Sequence, residues 1–271
     1  MNELPIGAAP DPANNRARRP DELPFVAPLR VIAANAPLRW LRLGWQDFRA
    51  APVVSIAYGL GVFGLSAAMS FIGWRFGSGW MLLVLLSGFI FVGPVLAVGL
   101  YAVSAQLARN QRPTLRGCAR EARRRVGETL VFSLALMIIC LTWVRAGSVI
   151  HIFYPDTGTP TIPELATFLT IGSAVGSLFA LVTFAASAFS LPMLFDRRAD
   201  SITAVVTSVN AVLRNKTVMA LWAAIIVAAV AIGFATALLG LIVTMPLIGY
   251  ATWHGYRESI DTSEWPAWDD A

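Results

Sequence analysis

The chain has 271 residues, of which 56% are hydrophobic and 14% charged, and its mean hydropathy is +0.64. This composition is too apolar for a soluble domain and excludes that class. A net charge of +5 would suggest nucleic acid as the partner of a soluble protein, but here the basic residues flank apolar stretches. We therefore expect membrane lipids with anionic headgroups as partners, and no nucleic acid.

The first part of the chain is rich in proline. Residues 1–36 contain six prolines and no apolar stretch long enough for a secretory signal. We expect a disordered cytoplasmic tail there. The helical segment that follows has an apolar face formed by Leu38, Leu41, Trp45 and Phe48, with arginines beside it. This pattern is typical of an amphipathic helix at the membrane surface, with tryptophan at the depth of the headgroups.

Uncharged stretches then follow at 50–74, 76–108, 129–144, 165–195 and 217–256. The last has 40 residues, or about 60 Å as a helix, whereas the hydrocarbon core of a bilayer is about 30 Å thick. It must therefore cross twice, with a turn near 233–236. The sequence thus predicts an all-α membrane protein with six transmembrane helices.

The basic residues predict the orientation of these helices. With six spans, all but two of the 21 basic residues fall on one side, and the two exceptions are Arg75 and Arg145. By the positive-inside rule, the arginine-rich side and both termini are cytoplasmic, as in a multi-pass protein of the bacterial inner membrane. Arg145 interrupts the third span. It either extends to the outer interface or is a functional intramembrane arginine.

The six helices form three pairs, and the sequence predicts a surface-lying amphipathic helix before each pair. Residues 202–213 resemble the first such segment, whereas 114–125 is more basic. The second helix of every pair carries a proline: Pro94, Pro192 or Pro246. We interpret the pairs as parallel repeats about an axis along the membrane normal. The alternative is that proline is simply common in membrane helices.

This interpretation gives the domain organisation. A disordered tail at 1–36 precedes a six-span membrane domain at 37–257, and a short acidic cytoplasmic tail occupies 258–271. The repeats span about 38–109, 113–198 and 200–257. The C-terminal tail could dock a partner, although a frayed end is the more common structure for such a segment.

Four motifs resemble the bacterial integral membrane proteins grouped as domain of unknown function 2189. They are PLRWL at 37–41, which includes Trp40, GWQDF at 44–48, which includes Trp45, GPVLAVGLY at 93–101 and SLPMLFDR at 190–197. The resemblance extends over roughly residues 30–260. It implies a six-span inner-membrane protein without an established activity. Some members carry the label of a putative cytochrome c oxidase.

The residues do not support a redox or catalytic centre. Haem and copper chemistry needs several histidines, and this chain has His151 and His254, predicted on opposite membrane faces. We therefore expect no metal, no cofactor and no catalytic site, and not an enzyme. Gly172 and Gly176 form a ridge of small residues suited to close helix contact, within the fold or across a homo-oligomer. Gly59, Gly61 and Gly64 are expected to serve helix packing.

The sequence therefore favours a non-enzymatic scaffold or accessory protein, with another membrane protein or a second copy as its partner. Two alternatives stay open. A channel or carrier for a neutral or lipid-like solute could use the proline-bearing helices as its lining. A cofactor-free accessory or assembly protein of a respiratory cytochrome c oxidase would agree with the label of some family members.

Overall fold

The computed structural model describes residues 24–77, 79–150 and 161–268, and every regular element in these ranges is a helix. Two isolated β-bridges also occur there, Leu29 with Ile260 and Arg197 with Ala267. The helices are α1 (Ala36–Ala50), α2 (Pro52–Phe76), α3 (Gly79–Ala108), α4 (Leu115–Arg124), α5 (Val126–Ile150), α6 (Ile162–Ser187), α7 (Ser190–Asp196), α8 (Ser201–Arg214), α9 (Lys216–Ala235) and α10 (Leu241–Ser259).

Four of these helices are long and apolar enough to cross a membrane, judged by length and composition. They are α2, α5, α6 continued through α7, and α9. In α3, the stretch whose side chains are described without a gap, Val92–Ala108, is an apolar helix of 10–17 residues. α10 is less apolar because its last turns carry polar residues, among them His254, Arg257 and Glu258. The all-helical class is confirmed, and six crossings stay a prediction.

A short helix precedes each pair of long helices along the chain. α1 precedes α2 and α3, α4 precedes α5 and α6, and α8 precedes α9 and α10. A break at Ala188 and Phe189 separates α6 from α7. Pro192 explains its position, because a proline ring clashes with the carbonyl four residues earlier. Ser208 of α8 hydrogen-bonds the backbone on both sides of this break. Its hydroxyl donates to the Ala185 carbonyl at 2.7 Å and accepts from the Phe189 amide at 3.0 Å.

The short helices α1 and α8 leave part of their predicted apolar faces exposed, as a helix at the membrane surface requires, and the interfacial position itself stays a prediction. In α8, the side chains turned to the protein are small or polar, among them Ala204, Ser208 and Ala211, whereas Ile202 and Leu213 are exposed. The reason is that α8 lies against other helices through its small residues, which permit close approach. Its large apolar residues are left on the outer surface.

α1 shows the same arrangement. Trp40, Gly44 and Phe48 are buried, whereas Leu38 and Trp45 of the predicted apolar face are 60% and 45% exposed. Gly44 allows α1 to approach the backbone of α10, because a β-carbon there would lie 2.9 Å from the Ala251 amide nitrogen. Of the predicted apolar face, Phe48 packs against the protein, whereas Leu38 and Trp45 stay exposed, and the position of α1 at the membrane surface stays a prediction.

Most of the buried core lies at one end of the long helices, next to the arginine-rich loops. It includes the last turns of α3 and α10, the first turns of α2 and α9, and α7. We call its large side chains the aromatic core, namely Trp40, Tyr101, Phe189, Phe195, Trp222, Trp253 and Tyr256. In contrast, only 17% to 22% of the most apolar 18-residue segment of each of α2, α5 and α9 is buried.

The N-terminal segment differs from the prediction of disorder through residue 36. Residues 1–23 lie outside the described ranges, but 24–35 pack against distant parts of the chain. The Ala27 amide donates to Thr207 Oγ1 at 3.2 Å, and the Ile32 amide donates to Asn215 Oδ1 at 3.0 Å. Ala27 and Ile32 are also buried. The proline-rich composition concealed these contacts because their partners are far away in sequence.

The C-terminal segment is likewise packed up to Trp268, where a frayed tail was the expectation. Trp265 is 2% exposed, and the indole of Trp268 donates to the Leu194 carbonyl at 3.1 Å. The Asp261 amide donates to the Pro28 carbonyl at 2.9 Å, so the two terminal segments also bind each other. Both segments thus belong to the folded unit at the arginine-rich end.

Candidate functional site

The three prolines singled out by the sequence are all buried, but they do not converge on one place. Gly93 and Met245, the residues before Pro94 and Pro246, line one cavity of about 210 Å³ between α2, α3 and α10. Pro192 lies in α7 and does not line this cavity. The structure therefore brings two of the proline motifs together.

A close contact between α2 and α10 accompanies this cavity. Pro246 has no N–H to offer the Ile242 carbonyl, which is its partner position in a regular helix. That carbonyl faces Gly59, where a β-carbon would lie only 2.0 Å from the Ile242 oxygen. The predicted packing role therefore applies to Gly59. A β-carbon at Gly61 or Gly64 would meet no described atom within 4 Å.

Gly172 and Gly176 make no close helix contact in the described part of the fold. A β-carbon at either position would have no neighbour within 4 Å. Gly176 instead lines an apolar groove of about 510 Å³ between α5 and α6, together with Leu136, Trp143 and Phe179. The predicted close helix contact at Gly172 and Gly176 is therefore not formed among the described residues.

Arg145 is exposed on α5, five residues before the end of that helix at Ile150. None of the described residues forms an ion pair with it that would hold it inside a bundle. His151, one of the two histidines considered as ligands, lies outside the described residues. The two interpretations of Arg145 therefore stay open.

Trp40 and Trp45, the two tryptophans of α1 singled out as candidate functional residues, have different environments. Trp40 is fully buried, with Phe189 and Trp222 edge-on at centroid distances of 6.3 Å and 5.5 Å. Its indole N–H donates to Glu258 Oε2 at 2.9 Å, and the same carboxylate binds Arg39. Trp45 is partly exposed and stacks on Phe48 at 5.4 Å. Trp40 is a core anchor and Trp45 a surface residue.

A polar cluster missed by the sequence analysis joins α1, α3 and α10. Asp47 Oδ2 accepts the Ser104 hydroxyl at 2.6 Å and contacts His254 Nε2 at 2.9 Å. A nucleophilic triad would need the serine bonded to the imidazole, with the carboxylate on the other ring nitrogen. Here the serine and histidine share one carboxylate oxygen, so the geometry is that of a helix cross-link. Nothing in the local sequence marks these three residues as neighbours.

A second polar cluster lies where α7 and α10 end. Asp196 Oδ2 accepts from the Tyr256 hydroxyl at 2.9 Å and contacts Arg197 and Arg257 at 3.2 Å each. Arg30 binds Asp261 at 2.9 Å nearby, and that hydrogen bond holds the pKa of Asp261 down at about 2. These charges are partly exposed and lie at the arginine-rich end.

A third polar group surrounds α4. Thr114 caps this helix by accepting from the Gly117 amide at 3.1 Å, and Cys118 is buried beneath it. Burial, together with the nearby Glu121 carboxylate, raises the pKa of the Cys118 thiol to about 11. The guanidinium of Arg125 lies over the Phe195 ring at 4.3 Å. The buried Cys118 thiol, with its raised pKa, is poorly suited to metal binding or nucleophilic attack.

The described ranges contain no group of three or more histidine, cysteine, aspartate or glutamate side chains that could hold a metal ion. The site-like features among the described residues include three polar clusters, two apolar cavities, a polar cavity beside Arg30 and another cavity beside Arg198. All three clusters lie at the arginine-rich end, around the aromatic core.

Comparison with known protein families agrees with the apolar, all-helical character of the chain. A family described as predicted integral membrane protein (DUF2189) matches residues 81–196, somewhat under half of the chain. The resemblance to this family is confirmed. The match extends from α3 to α7 and includes the motifs around Pro94 and Pro192, whereas the motifs at 37–48 lie outside it. No curated protein and no solved structure matches the chain.

Proposed function

We propose that this protein is a non-enzymatic scaffold of the bacterial inner membrane, with six spans and both termini in the cytoplasm. In this proposal α3 and α10 complete the set of crossings begun by the four longer apolar helices. The polar end of α10 then lies at the cytoplasmic interface, together with the loops that carry most of the arginines. The three helix pairs are parallel repeats of one unit.

One observation carries the scaffold proposal. The core, the polar clusters and both terminal segments lie together at the arginine-rich end. Elsewhere, large apolar side chains of the long helices are exposed, including Leu134, Leu169 and Val227. The packed inner end supplies a fixed surface for binding another membrane component, and the apolar surface along the spans can face lipid or a partner helix.

The short helices supply the contact with lipid. Exposed apolar residues on α1 and α8, such as Trp45 and Ile202, are free to enter the interface of the cytoplasmic leaflet. Arg42 and Arg214, on the same helices, are exposed and available to anionic headgroups. The expected partners are thus anionic lipids and a membrane protein or second copy on the apolar surface.

A carrier is the second candidate, and the cavity beside Gly93 and Met245 is the observation that favours it. This cavity is apolar and suits a neutral solute. At the arginine-rich end, however, Tyr250 and Trp253 are buried in the packed core. A carrier would therefore have to open that core, which makes the scaffold the better supported proposal.

The test combines cross-linking with reconstitution. A photo-cross-linking residue replaces Val227 on the exposed apolar surface of α9, and a control chain carries it at Trp45, which this proposal assigns to lipid. The scaffold proposal expects one defined membrane protein, or the chain itself, to be captured through Val227 in intact cells. Solute flux in proteoliposomes of the purified protein, or catalytic turnover, would contradict it. Co-purification of a haem-bearing complex would identify the partner as a respiratory oxidase.

A further inference from the structure

A polar cavity of about 230 Å³ lies where the two terminal segments meet the end of α7. Three arginines line it, one from each of three separate parts of the chain. Arg30 comes from the N-terminal segment, Arg197 from the residue after α7, and Arg257 from the last turn of α10. The remaining lining is Ile260, Asp261, Thr262 and Ser263.

Each guanidinium is held in place by a fixed contact. Arg30 Nη2 binds Asp261 Oδ2 at 2.9 Å, and Arg257 Nη1 binds Asp196 Oδ2 at 3.2 Å. Arg197 binds Asp196 through Nε at 3.2 Å and donates from Nη1 to the Trp265 carbonyl at 2.9 Å. These contacts place the three guanidiniums around the cavity before a ligand binds, with Arg30 56% and Arg257 51% exposed to solvent.

The arginines keep both charge and donors for a ligand. Three guanidiniums face two carboxylates, Asp196 and Asp261, so the cluster has an excess positive charge. A guanidinium has five N–H donors, and the contacts above use one or two of each. The side chain of Arg197 is only 20% exposed, so its attraction for an anion is less screened than that of a surface arginine.

We propose that this cavity binds a phosphate group through Arg30, Arg197 and Arg257. Three guanidiniums line this one cavity, and guanidinium N–H groups are well suited to bind phosphate oxygens. The phosphate belongs either to a lipid headgroup or to a soluble phosphate compound. This inference rests on the proposed function in one respect, because the proposed topology places the cavity on the cytoplasmic side of the membrane.

The full chain in detergent tests the soluble source. Its thermal unfolding is followed by tryptophan fluorescence while sodium phosphate is titrated against sodium chloride of equal ionic strength. We expect phosphate to raise the Tm in a saturable manner. Arg257→Gln should raise the half-saturating concentration about tenfold or more, because charged hydrogen bonds are lost. Arg214→Gln, an exposed arginine of α8 outside the cavity, should leave it unchanged.

The lipid source is tested in parallel with nanodiscs of phosphatidylcholine, with and without phosphatidylglycerol. A Tm increase that needs phosphatidylglycerol and is lost in Arg257→Gln, but not in Arg214→Gln, assigns the site to a headgroup. The proposal is overturned if neither arm shows a saturable effect, or if Arg257→Gln behaves like the wild type in both. Labelling of Ser263→Cys from the periplasm would defeat the proposed topology and leave the binding result standing.

Discussion

Gly59 of α2 lies against the backbone carbonyl of Ile242 in α10, the carbonyl to which Pro246 can offer no hydrogen bond. A proline in one helix and a glycine in another thus form one contact. The glycine permits the close approach, and its Cα–H can face the freed oxygen. This contact fixes α2 against α10 beside the cavity that Gly93 and Met245 line.

Gly59→Ala should therefore destabilise the protein by about 1–3 kcal/mol or more, because the β-carbon overlaps a backbone oxygen that cannot move alone. Gly61→Ala is the matched control in the same helix, since a β-carbon there meets no described atom. It should be neutral or stabilising by up to about 1 kcal/mol, as for glycine replaced inside a helix. Thermal unfolding in detergent measures both, and equal Tm values would contradict the contact.

The two tryptophans of α1 provide a second comparison. Trp40→Phe removes the hydrogen bond to Glu258 and part of a fully buried ring, so we expect a loss of about 2 kcal/mol or more. Trp45→Phe changes a partly exposed ring and should cost no more than about 0.5 kcal/mol. Unfolding by heat compares them directly. A larger loss for Trp45 would mean that α1 packs through its other face.

Much of this arrangement can be predicted from the sequence. The apolar stretches locate the long helices, and the proline motifs lead to buried residues because a membrane helix tolerates proline where neighbours compensate for it. The contact of Gly59 with α10 can be predicted only in part. The spacing of Gly59, Gly61 and Gly64 indicates packing, but it does not say which glycine meets a neighbour.

The polar clusters were beyond prediction because their members are distant in sequence. Asp47 and His254 are brought together by the packing of α1 on α10, and each alone looks like a surface residue. The packing of the terminal segments was not predicted for the same reason. The composition predicts disorder for 1–36 and a frayed tail for 258–271, whereas backbone hydrogen bonds join distant positions, such as Arg30 N–H to the Ser259 carbonyl at 2.9 Å.

Cys118 should be nearly inert in the folded protein. Burial raises the pKa of its thiol to about 11, so little thiolate is present at neutral pH. In a Cys140→Ala chain, maleimide labelling should be slow near neutral pH and accelerate toward about pH 11. Unfolding in dodecyl sulfate should remove this protection. Rapid labelling of the folded chain at neutral pH would show that α4 does not cover the thiol.

The contact between Arg30 and Asp261 should make stability depend on acid pH. The folded pKa of Asp261, about 2, is below its ordinary value of 3.8, so the contribution is complete above about pH 4. It is lost as the pH falls toward about 2. Both side chains are substantially exposed, so the effect is reduced by solvent screening.

Asp261→Asn is the variant that tests this dependence. The wild-type Tm should fall more steeply than the Tm of the variant between about pH 4 and about pH 2. Arg214→Gln, which removes an exposed charge on α8 and does not touch this contact, serves as the control and should keep the wild-type slope. Parallel curves for Asp261→Asn and the wild type would show that Arg30 and Asp261 do not bind each other in solution.

The central claim is a six-span protein whose folded inner end, with both termini, faces the cytoplasm. Thr161, just before α6, and Ser263, after α10, decide it as single cysteines in a chain with Cys118→Ala and Cys140→Ala. In intact spheroplasts, a membrane-impermeant maleimide should label Thr161→Cys and should reach Ser263→Cys only after lysis. If only the four longer apolar helices crossed, with the N-terminus inside, Thr161→Cys would stay protected. That protection, or labelling of Ser263→Cys before lysis, would contradict the account.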